Sequence, residues 1–148
     1  MRFWGFLLVA CVLPATAQAQ TAAAPVLIDG FEDLSTWQAS ASDQVKLSLR
    51  AAPGVRGKAL CLAYDFNGVA GYAVARRALP LQLPENYVFD LRVRGDAPAN
   101  QFQIKFVDAS GDNVWWMNRS DFTPPHEWQQ LKVRRRQIDF AWGPTEDK

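Results

Sequence analysis

One histidine and two cysteines are the whole supply, in 148 residues, of the side chains that most often bind zinc or pair as nucleophile and base. A His-rich metal site is excluded, and so are a Cys-built zinc site and a disulfide-dense scaffold. A His-based catalytic triad would rest on His126 alone, which falls in the loop-like setting Pro124-Pro125-His126-Glu127. No G-x-S-x-G nucleophile motif occurs. Charge of one sign is also missing: 16 Lys and Arg stand against 15 Asp and Glu, a formal net charge of +1. Nucleic acid is therefore not an expected partner, because such binding needs a basic excess on one face. The apolar stretch at residues 3–13 would span only about 16 Å as a helix, short of a ~30 Å hydrocarbon core. No membrane span is expected.

What is present is apolar and aromatic. Hydrophobic residues make up 49% and aromatics 12%, with six Trp, too rich for a disordered chain and long enough for one domain. The first residues carry an address. Arg2 precedes the apolar stretch, Pro14 breaks it, and Ala15-Thr16-Ala17 and Ala17-Gln18-Ala19 are small-x-small cleavage patterns. Residues 1–19 are expected to be a cleaved signal peptide, which gives a secreted or periplasmic protein, with 20–25 as an alanine-rich linker. Leu8-Val9-Ala10-Cys11 offers an alternative, a lipidated Cys11. Cys61, in Ala59-Leu60-Cys61-Leu62-Ala63, reads as a buried inert thiol.

From residue 26 the chain alternates between extended runs and turns, with no sustained helical period. Val26-Leu27-Ile28 starts a first strand. Runs follow at 45–50, 59–66, 71–79, 87–94, 102–106, 114–117 and 128–138, separated by Gly, Pro, Asn or Asp. Asp108-Ala109-Ser110-Gly111-Asp112-Asn113 is a hairpin-type turn rather than a calcium loop, because the EF-hand spacing is absent. Such a pattern predicts an all-β antiparallel sandwich or barrel. Period-2 spacing nominates Leu47, Leu60, Leu62, Phe89, Leu91, Val93, Ile104, Phe106, Leu131 and Val133 as its core.

Several ordered elements are similar to bacterial carbohydrate-binding jelly rolls. They are Ile28-Asp29-Gly30-Phe31-Glu32-Asp33 followed by Trp37, then Gly57-Lys58-Ala59-Leu60-Cys61-Leu62, then Leu91-Arg92-Val93-Arg94-Gly95-Asp96. Phe102-Gln103-Ile104-Lys105-Phe106-Val107-Asp108, a Trp-bearing strand and His126-Glu127-Trp128-Gln129-Gln130-Leu131 complete the set. Over residues 26–142 the chain thus resembles the galactose-binding-like superfamily, which includes carbohydrate-binding and discoidin-like modules of secreted enzymes. The resemblance implies a jelly roll and a polysaccharide or oligosaccharide partner. It also implies a possible catalytic domain in the same parent protein. The group closes with one or two further strands after the Trp128-type strand. Here residues 143–148 read as a polar tail, so the module is expected to be incomplete at its C-terminus, a fragment of a longer secreted protein. In the group, acidic residues near the first strand hold a structural calcium with help from the final strand. That implies Asp29 and Glu32 as calcium contributors, set against the plainer reading of a solvated acidic turn. No other cofactor is implied.

For a sugar, aromatic faces stack on the C–H patches of the ring while amide, carboxylate and guanidinium groups bond the hydroxyls. Trp115 and Trp116 are adjacent on one strand and so point to opposite faces. A platform of Tyr72, Arg76, Gln103, Lys105, one of the two Trp, and Asn118 or Arg119 is expected. Trp115 is the favoured exposed ring, since Met117 and Arg119 share its face. The competing reading makes both rings structural. The leading expectation is a non-catalytic carbohydrate-binding module. The alternatives are a structural or interaction sandwich without a sugar ligand and, last, a small secreted hydrolase with a carboxylate pair.

Overall fold

The computed structural model describes residues 24–146. The expected signal peptide (1–19), Cys11 and most of the 20–25 linker lie outside the described residues. The described residues form nine strands: β1 Gln38–Ala41, β2 Lys46–Pro53, β3 Lys58–Asp65, β4 Ala73–Arg76, β5 Val88–Val93, β6 Asn100–Val107, β7 Val114–Phe122, β8 Gln129–Arg134 and β9 Asp139–Trp142. The only helical element among the described residues is a single 3₁₀ turn, Arg135–Gln137. No helix among them is long and apolar enough to cross a membrane.

All pairings are antiparallel: β1 with β4, β2 with β3, β5 with β8, and β7 between β6 and β9. Alternation explains the layers. Phe89, Leu91 and Val93 of β5 lie opposite Val133, Leu131 and Gln129 of β8, and the apolar side of this pair turns inward. Phe102, Ile104 and Phe106 of β6 lie opposite Arg119, Met117 and Trp115 of β7. The two sheets face each other through these residues. Met117, Leu131, Val133 and Ile138 are buried at the centre, with Tyr87 and the β5 and β6 aromatics and aliphatics packed round them. Phe89 stacks on Phe106 across the interface, centroids 4.9 Å apart. The architecture is all-β and sandwich-like, with this half as its core.

Three expectations are corrected. The apolar triplet Val26-Leu27-Ile28 is not a strand: Val26 and Leu27 are 85% and 82% exposed, since no neighbouring strand offers them a partner. Leu47, Leu60 and Leu62 are half-buried and lie outside the buried cluster. They belong to the β2–β3 hairpin, which lies beside the β1–β4 ribbon, and neither ribbon contributes a fully buried residue. Finally, the segment after the Trp128 run does supply a strand. The basic run leaves β8 at Arg134. The Arg135 amide donates to the Tyr87 carbonyl (3.1 Å) and the Ile138 amide to the Arg135 carbonyl (3.0 Å), which turns the chain back into β9 against β7.

Candidate functional site

The outer face of the β6–β7–β9 sheet is built by register. Lys105 is directly opposite Trp116, Gln103 is opposite Asn118, and Trp116 is opposite Asp139 on the other side. Directly opposed residues share a face, so these five project together, away from the core. Between Val114/Trp142 and Trp115/Phe140 the register slips by one residue on β9. Such a bulge re-aims a side chain. Here the Trp142 ring stands edge-on to Trp116, centroids 5.5 Å apart at 89°. Lys105 Nζ lies 5.4 Å from the Trp116 centroid and 5.0 Å from that of Trp142. The ammonium bridges two negative ring faces, an arrangement worth about 0.5–1 kcal/mol at an exposed site. Gln101 and Gln103 both donate through their amide nitrogens to Asn118 Oδ1, at 3.0 and 3.4 Å. Trp142 is 47% exposed. The face therefore joins an accessible indole to a cation, several amides and the Asp139 carboxylate.

The residues expected from sequence divide. Gln103 and Lys105 lie on this face. Trp115 does not: it packs against the buried cluster and meets Phe140 edge-on at 5.7 Å. The favoured exposed ring is thus the inward one. Trp115 shares its face with Met117, which is buried, and the core claims both. Arg119 is half-buried opposite Phe102, on the inner side of β7. Tyr72 and Arg76 are exposed but belong to the β1–β4 ribbon, Tyr72 just before β4 and Arg76 at its end opposite Gln38. The structure does not bring them onto the Gln103–Lys105 sheet. Trp116 and Asn118, the alternatives to Trp115 and Arg119, are the members that share the Gln103–Lys105 face, and Asp139 and Trp142 were not among the expected residues. The signal for Trp116 was available in the hairpin register, which sets it beside the polar side of β6.

No family model, curated protein or solved structure matches the chain.

The acidic residues near residue 29 are engaged with protein donors. Asp29 Oδ1 accepts from the Phe31 amide (2.7 Å), and its Oδ2 accepts from Trp37 Nε1 (3.0 Å) and from the Arg77 guanidinium. Burial works against the Asp29 charge, but the Phe31 amide, the Trp37 indole and Arg77 outweigh it and hold the carboxyl below its ordinary value. Arg77 also lies 5.8 Å from the Trp37 ring centroid. Glu32 is turned to a different task. Its Oε1 accepts from the Lys58 amide (2.9 Å), closing the β2–β3 turn at Gly57, whose φ is +59°. A Cβ on Gly57 would overlap that carboxylate oxygen. Asp29 and Glu32 thus each secure a separate part of the backbone. Among the described residues no group of three or more His, Cys, Asp or Glu is placed to hold a metal ion.

The turn between β6 and β7 is held by Asp108. Its Oδ2 accepts from Asn113 Nδ2 (2.7 Å), and its Oδ1 accepts from Ser110 Oγ (2.6 Å) and the Gly111 amide (3.1 Å). Asn113 passes the restraint on, since its Oδ1 accepts from the Thr145 amide (2.9 Å) and fixes the chain beyond β9. The Asn113 side chain, then Ser110, against a smaller opposing desolvation, lower the Asp108 carboxyl from 3.8 to about 2. A depressed folded-state value means that the stabilisation is full above the unfolded value and fades as pH falls through the folded one. The melting-temperature gap between the wild type and Asp108→Asn is therefore expected above about pH 4 and should close toward about pH 2. Thermal scans across that range check it; a gap independent of pH would contradict the role.

Proposed function

We propose that this protein is a non-catalytic carbohydrate-binding module of a secreted or periplasmic protein, a galactose-binding-like jelly roll whose ligand face is the outer side of β6, β7 and β9. The leader at residues 1–19 supports export, and the ordered motifs quoted above support the superfamily. One observation carries the ligand class: an exposed indole, Trp142, stands edge-on to Trp116, framed by Lys105, Gln103, Asn118 and Asp139. A flat apolar ring ringed by neutral amides and one charge of each sign matches a pyranose, which is apolar on its C–H faces and hydroxylated at its rim. The face is open rather than a cleft, so single contacts are weak and retention grows with the number of modules or sugar units engaged.

Affinity electrophoresis in gels containing neutral plant or bacterial polysaccharides tests this. Wild type should be retarded by at least one of them. Trp142→Ala should migrate as in a sugar-free gel while its melting temperature stays close to wild type, because the ring is on an edge strand and half exposed. Trp115→Ala should cost about 3–5 kcal/mol of stability, as buried aromatic deletions do. Equal retention of wild type and Trp142→Ala would remove the platform from the account.

A further inference from the structure

The other sheet of the sandwich turns a different chemistry outward. On β5 and β8 the core takes Phe89, Leu91, Leu131 and Val133, so Val88, Asp90 and Arg92 face out opposite Arg134, Lys132 and Gln130. Just beyond the strands, Arg94 lies over the Trp128 ring, 5.0 Å from its centroid. At the opposite end a shallow cleft of about 430 Å³ is lined by Asn86, Tyr87, Val88, Arg134, Arg135 and Arg136. Arg135 is anchored there, its Nη1 donating to the Ile138 carbonyl at 3.2 Å. Arg92, Arg94, Lys132, Arg134 and Arg136 are all exposed. Among the described residues no carboxylate is within ion-pair distance of any of the five. The one acid on the strand face, Asp90, accepts from Gln130 Nε2 at 2.6 Å. A chain with nearly balanced charge has thus gathered an unpaired basic stripe on a single sheet face.

We infer that this face is a docking surface for an acidic polysaccharide, its carboxylates following the strands from Arg94 and Trp128 to the arginine cleft. Charge complementarity selects an anion, and an exported chain, as proposed above, meets extracellular anionic polymers rather than nucleic acid. Outward side chains recur about every 6.6 Å along a strand, so the six residues of β5 offer a face about 20 Å long to such a polymer. A lipid surface would ask for an apolar partner, and the outward strand positions supply only Val88. The stripe and the Trp116–Trp142 platform are on opposite outer faces, so this inference does not depend on the platform.

Affinity electrophoresis of the whole chain in polygalacturonate and in its methyl-esterified form separates the two ideas. The inference expects retardation by the acid form at low salt, weak or no retardation by the ester through this face, and loss at about 1 M NaCl, where screening shortens to about 3 Å. Replacing Arg92, Arg94, Lys132 and Arg134 together by Gln should weaken binding to polygalacturonate about tenfold or more, four exposed contacts each giving a small factor. Arg56→Gln, which removes an exposed charge from the β2–β3 turn, should leave it unchanged. Lysine at the three arginine positions, which keeps the charge, should retain most of it. The inference is overturned if the Gln variant binds polygalacturonate as wild type does, or if salt has no effect. It is overturned equally if single-stranded DNA or vesicles rich in anionic lipid bind more tightly than polygalacturonate. Retention by the ester that Trp142→Ala abolishes speaks to the platform alone.

Discussion

Val133→Asp abolishes the cooperative thermal transition. Val133 is 0% exposed and is the one side chain among the described residues buried to that degree. It lies directly opposite Phe89 on β5 and belongs to the cluster of Met117, Leu131 and Ile138. Each of those neighbours is apolar, so a carboxylate there has no side-chain partner. An uncompensated buried charge costs more than the 5–15 kcal/mol that typically separates folded from unfolded domains, or it forces protonation at a cost of several kcal/mol. Val133→Ala keeps the chemistry and should cost about 1–3 kcal/mol. Leu47→Ala, on the half-buried β2–β3 hairpin, should cost less than a core leucine would. Circular dichroism melts of the three variants rank them. A Val133→Asp protein melting near wild type would place the core elsewhere.

Asp29→Ala is the second large effect. The carboxylate accepts from the Phe31 amide, the Trp37 indole and the Arg77 guanidinium, and Phe31 itself is held at φ +56°. Removing it strands a guanidinium whose Nε is already buried without a partner. Breaking a fully buried pair from one side costs about 3–5 kcal/mol. The Asp29 and Arg77 side chains keep 13% and 24% of their exposure, so about 2–4 kcal/mol is expected here. Asp29→Asn keeps an acceptor for the Phe31 amide and should recover part of the loss. Urea unfolding of both variants measures it. Equal stability of Asp29→Ala and wild type would show the network to be incidental.

Strand alternation made the fold class legible. β2, β3, β5, β6 and β8 fall within the expected runs to a few residues, because each carries an apolar residue at every second position over most of its length. β1 was invisible. Its Gln-Ala-Ser-Ala alternates only through two alanines over four residues, too short and too weakly apolar to mark a strand, and it exists through its pairing with β4. Val26-Leu27-Ile28 fails in the opposite sense, a locally β-like triplet without a neighbour. β9 was hidden behind the basic run, which looks like continuous strand until Arg135 bonds Tyr87 and turns the chain. The candidate site was half legible for the same reason. Alternation gives Gln103 and Lys105 a common face, but the choice between Trp115 and Trp116 belongs to the hairpin register. Trp142 reaches the site only through a bulge between β7 and β9. Long-range pairing and bulges leave no periodic trace in a single chain.

The most direct test of the binding face is a ¹H–¹⁵N correlation spectrum of the indole Nε1–H signals during titration with a neutral oligosaccharide that retards the protein. The signals are assigned by single Trp→Phe substitutions. The account predicts that the Trp142 and Trp116 signals move together and saturably, while those of Trp115 and of Trp37, bound to Asp29, stay in place. Saturable movement of Trp37 or Trp128 with Trp116 and Trp142 unmoved would contradict it.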